Sequence, residues 1–124
     1  MSAVTRALMI ALLPASFATC VRKVDAPIVP GGDAERGRKA ITAYGCGSCH
    51  VIPGVKGARG LVGPSLQTTA SHVYIAGVLP NDPESIVRWI MNPPAVDPKT
   101  AMPALGVPEQ DARDMAEYIY RIGR

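Results

Sequence analysis

Aromatic side chains are scarce in this chain: they make up 5% of its 124 residues, with one tryptophan, Trp89, and one phenylalanine, Phe17. Phe17 lies in an apolar N-terminal stretch, so the remainder holds few bulky groups with which to fill a core. Charge is equally modest. The formal net charge is +3, one unit of it on Arg6, which is too mild a balance for a nucleic-acid partner. The apolar run Ala7 to Leu13 is too short to span a bilayer comfortably. No strand pattern and no internal repeat stands out, which argues against sheet-based and repeat architectures. Glycine and proline, by contrast, number twelve each and point to long irregular loops between short helices rather than a compact helical bundle.

What the chain does have is Cys46-Gly47-Ser48-Cys49-His50. Two cysteines separated by two residues and followed at once by histidine form the pattern that attaches a c-type haem. The spacing follows from the chemistry. The thiols add to two vinyl groups on one edge of the porphyrin, and the adjoining imidazole turns under the ring to hold the iron. Cys46 and Cys49 are then the covalent anchors of one haem c and His50 its proximal ligand. Gly45, Gly47 and Ser48 are small enough for backbone to approach a flat cofactor closely.

Other chemistries fit these residues less well. A zinc centre takes about four ligands in tetrahedral geometry, and the chain offers only Cys46, Cys49, His50, His72 and the distant Cys20. A dithiol redox pair belongs in a βαβ setting that no strand pattern here supplies. A structural disulfide leaves His50 without a role. A buried haem also provides the bulk that an aromatic-poor core lacks.

Residues 1–19 read as an export signal: a short start carrying Arg6, the apolar run, then Pro14 and small residues. Haem attachment of this kind needs an exported chain, so signal and motif agree on a periplasmic protein. Two endings of the signal stay open. Phe17-Ala18-Thr19-Cys20 resembles a bacterial lipoprotein box, in which Cys20 becomes the lipidated first residue, although Phe17 and Thr19 depart from the usual residues. Cleavage after Ala18 would instead leave Cys20 as a spare thiol. Residues 20–32, with Pro27, Pro30, Gly31 and Gly32, read as a linker or tether, and 33–124 as the haem domain.

Within that domain Asp33 is placed to cap a helix running to about Tyr44, with Gly37, Ala40, Ile41 and Tyr44 on one face. Gly37 costs about 1 kcal/mol of helix propensity relative to alanine, which implies that something packs closely against it. Val51 to Gly63 is a glycine-rich loop from which Lys56 and Arg59 project, and a short helix is expected near Ser71 to Gly77. Asp82-Pro83-Glu84 opens a clearer helix that should bury Ile86, Val87, Trp89 and Ile90 and stop before Pro93. Pro93 to Pro108 is a proline-rich connection. A last helix follows, with Glu109, Asp111 and Asp114 towards its start, Arg121 and Arg124 at its end, and Ala112, Met115, Ala116 and Ile119 as its apolar stripe.

A six-coordinate haem needs a second axial ligand, and methionine sulfur opposite histidine raises the reduction potential. Met91 and Met115 fall at helical positions, where core filling is the usual role. Met102 sits in the irregular stretch Lys99-Thr100-Ala101-Met102-Pro103, from which a loop can present sulfur without continuing a helix. His72 is the rival ligand and an open iron the third arrangement; His72 otherwise reads as an ordinary polar surface residue.

Taken together, the C-x-x-C-H motif, Gly63-Pro64, the tryptophan-bearing helix, Met102-Pro103 and the closing amphipathic helix resemble the class I cytochromes c over about residues 33 to 123. The runs Tyr74 to Asn81 and Thr100 to Val107 resemble, more narrowly, small bacterial cytochromes that accompany respiratory oxidases. The resemblance implies an all-α fold of short helices and long loops wrapped around one covalently bound haem. It also implies that Pro64 offers its carbonyl to His50, that Trp89 packs at the haem edge and bonds a propionate, and that the first and last helices cross at Gly37. A plain core tryptophan is the competing account of Trp89. The family's basic rim is thinly represented, by Lys56, Arg59 and Lys99, which argues against strong electrostatic steering.

These readings lead to a periplasmic electron carrier, or a subunit through which electrons enter a respiratory assembly, rather than an enzyme. The donor would be a quinol-oxidising complex or a dehydrogenase and the acceptor a haem-copper oxidase, with lipidated Cys20 as a membrane tether. A haem-based sensor with an exchangeable distal site is the alternative, and a haem peroxidase using His72 a third.

Overall fold

The computed structural model of the protein describes residues 25–124. The expected export signal and Cys20 lie outside the described residues. In chain order the elements are α1 (Ala34–Ala43), a 3-10 turn at Cys46–Ser48, a second at Leu66–Ser71, strands β1 (Tyr74–Ile75) and β2 (Leu79–Pro80), then α2 (Pro83–Met91), α3 (Pro93–Val96) and α4 (Glu109–Ile122). The fold is mostly helical, with long loops, as expected of a class I cytochrome c.

Helix α1 starts where the sequence indicated, because the extended Asp33 turns its carboxylate onto the Arg36 N–H at 2.8 Å. It ends at Tyr44, after which Gly45 takes a positive φ of 71° that suits glycine. Asp82 caps α2 in the same way, accepting from the Ser85 N–H at 2.8 Å with Pro83 at the first turn. Ile86, Val87 and Ile90 of α2 are buried and Trp89 is half-buried.

The expected face of α1 packs on α4. Gly37 is the point of closest approach: a Cβ there would overlap the backbone carbonyl of Asp114, so the helices meet backbone to backbone. Ala112 and Ala116 are fully buried, and Ile41 and Met115 are each 1% exposed. Around the crossing, Tyr44 Oη donates to Asp111 at 3.0 Å, and Arg36 donates from Nε and Nη2 to Asp114 at 2.7 and 2.8 Å.

Three expectations need correction. The helix expected near Ser71–Gly77 is absent: the 3-10 turn ends at Ser71, and residues 74–80 form a small hairpin. Its turn closes with Val78 N–H on the Ile75 carbonyl at 3.1 Å and has positive φ at Ala76 (53°) and Gly77 (75°). Such a turn matches the twist of antiparallel strands, but two-residue strands are too short to show an alternating pattern. Secondly, the proline-rich connection holds the one-turn helix α3, which Pro93 and Pro94 permit at its first positions. Thirdly, Val29, inside the stretch read as a linker, is 0% exposed. Its N–H donates to the buried Glu117 carboxylate at 2.8 Å, and the Asp33 N–H donates to Asp114 at 2.8 Å.

Asp114 is therefore not a surface charge serving the helix dipole. Burial alone would push its carboxyl upward, but hydrogen bonds from Arg36, the Asp33 N–H and Gln110 outweigh that and hold it below its ordinary value of 3.8. A folded-state pKa lower than the unfolded one contributes stability that is fully present above the unfolded value and lost as pH falls through the folded one. Acid unfolding of the haem-loaded protein should thus set in below about pH 4. In Asp114→Asn that part of the acid dependence should be gone, as read by thermal melts across pH 2–6.

Candidate functional site

The residues after α1 form a tight local unit. Gly45 lets the chain reverse, the Ser48 hydroxyl donates to the Gly45 carbonyl at 2.6 Å, and the N–H groups of Cys49 and His50 both donate to the Cys46 carbonyl, at 3.2 and 3.1 Å. The two thiols and the imidazole are thereby held along one turn. Neither cysteine is disulfide-bonded, and burial pushes the Cys46 thiol above its ordinary value. Gly47 and Gly60 admit the neighbouring loop: a Cβ on Gly47 would meet Ala58, and one on Gly60 would overlap the Ser48 carbonyl. The loop from Val51 to Arg59 closes with a bridge between its ends and buries Ile52, Val55 and Ala58, while Lys56 and Arg59 stay exposed.

His50 is oriented from the far side of that loop. Its Nδ1 lies 2.7 Å from the Pro64 carbonyl oxygen. A carbonyl only accepts, so Nδ1 carries the proton and Nε2 keeps its lone pair for a metal. Gly63 makes this possible by lying flat against the ring: a Cβ there would overlap His50 Cε1 and lie 2.7 Å from Nδ1.

Cys46, Cys49, His50 and Met102 all line one cavity of about 370 Å³. Its walls are mainly apolar and come from most of the described chain: Ile41 of α1, Leu66 of the second 3-10 turn, Ile75 and Ala76 of the hairpin, Ile86 and Ile90 of α2, and Met115 and Ile119 of α4. The fit to a haem is good on three counts: paired thiols at one edge, an imidazole with its free nitrogen set by a carbonyl, and apolar walls broken by a few polar groups. Met115, read as core filler, is both core and cavity wall.

Met102 is positioned by short-range bonds rather than by a helix. The Asp97 carboxylate accepts from the Lys99 N–H at 2.9 Å, the Thr100 N–H donates to the Asp97 carbonyl at 3.0 Å, and the Met102 N–H donates to the Thr100 hydroxyl at 3.1 Å. Met91 does not line the cavity; it packs half-buried against the core. His72 lines the cavity from an exposed position, its Nε2 lying 3.2 Å from the Thr68 hydroxyl. Trp89 lines it too, half-buried.

Sequence reasoning gave Asn81 no role of its own. Its side-chain amide donates to the carbonyls of Thr69 and His72 at 2.8 and 2.7 Å, and its oxygen accepts from Tyr120 Oη at 2.7 Å. One amide thus ties the second 3-10 turn and the approach to the hairpin onto α4. Burial, with the Asp82 charge, pushes the Tyr120 hydroxyl up to about 12, so it remains a donor at any working pH. Two cavity-lining apolar residues are open to solvent, Val62 at 74% and Tyr74 at 57% exposure, and their sequence neighbours Leu61 and Val73 are exposed as well.

The family model described as Cytochrome c matches residues 34–122. The chain is also 30% identical over 86 residues to the cytochrome c oxidase subunit 2 of Alkalihalophilus pseudofirmus, an alignment that takes in 69% of this chain. It spans 24% of that relative's length.

The contact between Gly63 and His50 yields a direct test. The ring is held by Pro64 and cannot swing aside freely, so Gly63→Ala should cost about 1–3 kcal/mol by overpacking. For a domain of this size that corresponds to a melting temperature lower by roughly 5–20 °C. An unchanged melting temperature of the haem-bearing variant would show that the ring is not pinned.

Proposed function

The chain belongs to the cytochrome c family, and on that footing we propose that it is a periplasmic one-electron carrier, or the subunit through which electrons enter a respiratory assembly, with iron held between His50 and Met102. Haem c, joined through Cys46 and Cys49, supplies a metal that changes oxidation state by one electron. The observation that carries the reading is the shared cavity: both thiols, the oriented imidazole of His50 and the sulfur-bearing loop of Met102 open onto one apolar space.

The protein's contribution is to hold these groups still. The Pro64 carbonyl takes the Nδ1 proton of His50, which fixes the ring and raises the basicity of Nε2. The turn bonds from Asp97 and Thr100 hold the Met102 loop in place. Apolar walls exclude water, so the surroundings differ little between the two charge states. No substrate has to reach the metal, and the role is electron transfer rather than catalysis. Trp89, half-buried at the cavity, is suited to meet a propionate.

Similarity to an oxidase subunit supports a haem-copper oxidase as acceptor, with a quinol-oxidising complex or a dehydrogenase as donor. Exposed Leu61, Val62, Val73 and Tyr74 favour docking by apolar contact over steering by charge. A lipid on Cys20 would keep the carrier near such membrane partners.

Two measurements test this. Oxidised protein should show the weak far-red band of a sulfur–iron bond. Met102→Ala should lose it, bind carbon monoxide when reduced, and drop in potential by on the order of 0.2 V, within the ~0.8 V that axial ligands command. A band and potential that stay put would remove Met102 from the iron. For the anchor, Cys20→Ser should move the protein from the membrane to the soluble fraction, and identical fractionation of mutant and parent would refute lipidation.

A further inference from the structure

The segment just before the haem domain is bound to α4 along its length. Between Asp25 and Asp33 it runs antiparallel to that helix. The Asp33 N–H donates to Asp114 at 2.8 Å, Gln110 to the Gly31 carbonyl at 2.9 Å, the Val29 N–H to Glu117 at 2.8 Å, and Arg121 to the Asp25 and Ala26 carbonyls at 3.2 and 3.4 Å. Gly32 lies so close that a Cβ would come within 2.8 Å of the Glu117 Cβ. Two carboxylates, 2% and 1% exposed, each accept one hydrogen bond from this strap, beside those from Arg36, Gln110 and Arg121. Nothing in the haem site requires that.

The strap occupies the back of α4. At about 100° per residue the strap-binding positions 110, 113, 114, 117 and 121 centre about 165° from Met115 and Ile119, which face the cavity. The chain therefore leaves the domain at Asp25, beside Arg121 at the C-terminal end of α4.

We propose that this strap sets the orientation of the protein on the membrane: it shortens the tether from Cys20 so that the back of α4 faces the lipid and the haem cavity faces away, toward a partner. The proposal rests on the reading of Cys20 as the anchored residue. The lengths decide the matter. With the strap bound, five residue steps separate Cys20 from Asp25, a reach of at most ~18 Å. With the strap free, thirteen steps to Asp33 reach ~45 Å. A domain of about 100 residues is roughly 34 Å across from its radius of gyration. The longer tether lets the domain turn any face to the lipid, and the shorter one does not. In sequence, Arg22 and Lys23 come three and two residues before Asp25, a positive pair that suits an anionic lipid surface.

The test uses haem-loaded protein matured with a signal lacking the lipoprotein pattern. Cys46 and Cys49 are consumed by the haem, so Cys20 is the thiol left to couple to a maleimide lipid in vesicles. The vesicles also carry a lipid with a photoreactive headgroup, and labelled peptides are read by mass spectrometry. Labelling of residues 25–33 and 117–124 should exceed that of 73–78 and 101–105 by about tenfold, the order of the bias that a reach of half the domain's width imposes. Inserting eight Gly/Ser residues between Val24 and Asp25 restores the long reach without touching the strap, and should bring the two sets within about twofold. Equal or stronger labelling at the cavity rim of the parent would overturn the proposal, and so would a bias that survives the insertion. Because coupling is chemical, failure of lipidation in cells would show in the Cys20→Ser fractionation and leave this result standing.

Discussion

Backbone contact between Gly37 and the Asp114 carbonyl is the constraint on which the rest of the molecule depends. Any side chain at residue 37 would push α1 off α4, and the two helices carry Ile41, Met115 and Ile119 into the cavity wall. The same approach brings Arg36 onto Asp114 and Tyr44 onto Asp111. Asp114 in turn holds the Asp33 N–H, so the residue that caps α1 is itself positioned by α4. A single glycine thus couples the start of the domain to its end.

Features that depend on near neighbours were legible in the sequence. The caps at Asp33 and Asp82-Pro83 act within three residues, and the unfavourable glycine in α1 announced a close contact before any partner was known. The Cys46-to-His50 turn is likewise local. What could not be read depends on distant partners. Glu117 and Asp114 look like solvent-facing charges in an amphipathic helix, and only the meeting with Val29, 88 residues away in sequence, makes Glu117 a buried acceptor. Asn81 gave no signal for the same reason, since Tyr120 reaches it across 39 residues. The hairpin at 74–80 escaped because its turn uses Ala76-Gly77, without the asparagine that usually marks positive φ at the first position.

The site divides along the same line. Cys46, Cys49 and His50 follow from a motif whose chemistry sets its spacing, while Pro64 came only through family resemblance, although its bond to His50 is plain in the geometry. The bulk that the chain lacks in aromatic residues reappears as a cavity lined by most of its elements. That arrangement makes the haem a part of the core, so its absence leaves a cavity of about 370 Å³ against Ile41, Ile86, Ile90 and Ile119.

The enclosure of Cys46 has a consequence for how the protein is made. In the folded chain Cys46 is half-buried in the cavity wall among side chains from both ends of the domain, and burial disfavours its thiolate, the form that reacts. A chain that closed first would partly cover Cys46 and blunt its reactivity. Thioether formation is therefore favoured on an open chain, before α4 and the Met102 loop close over the site.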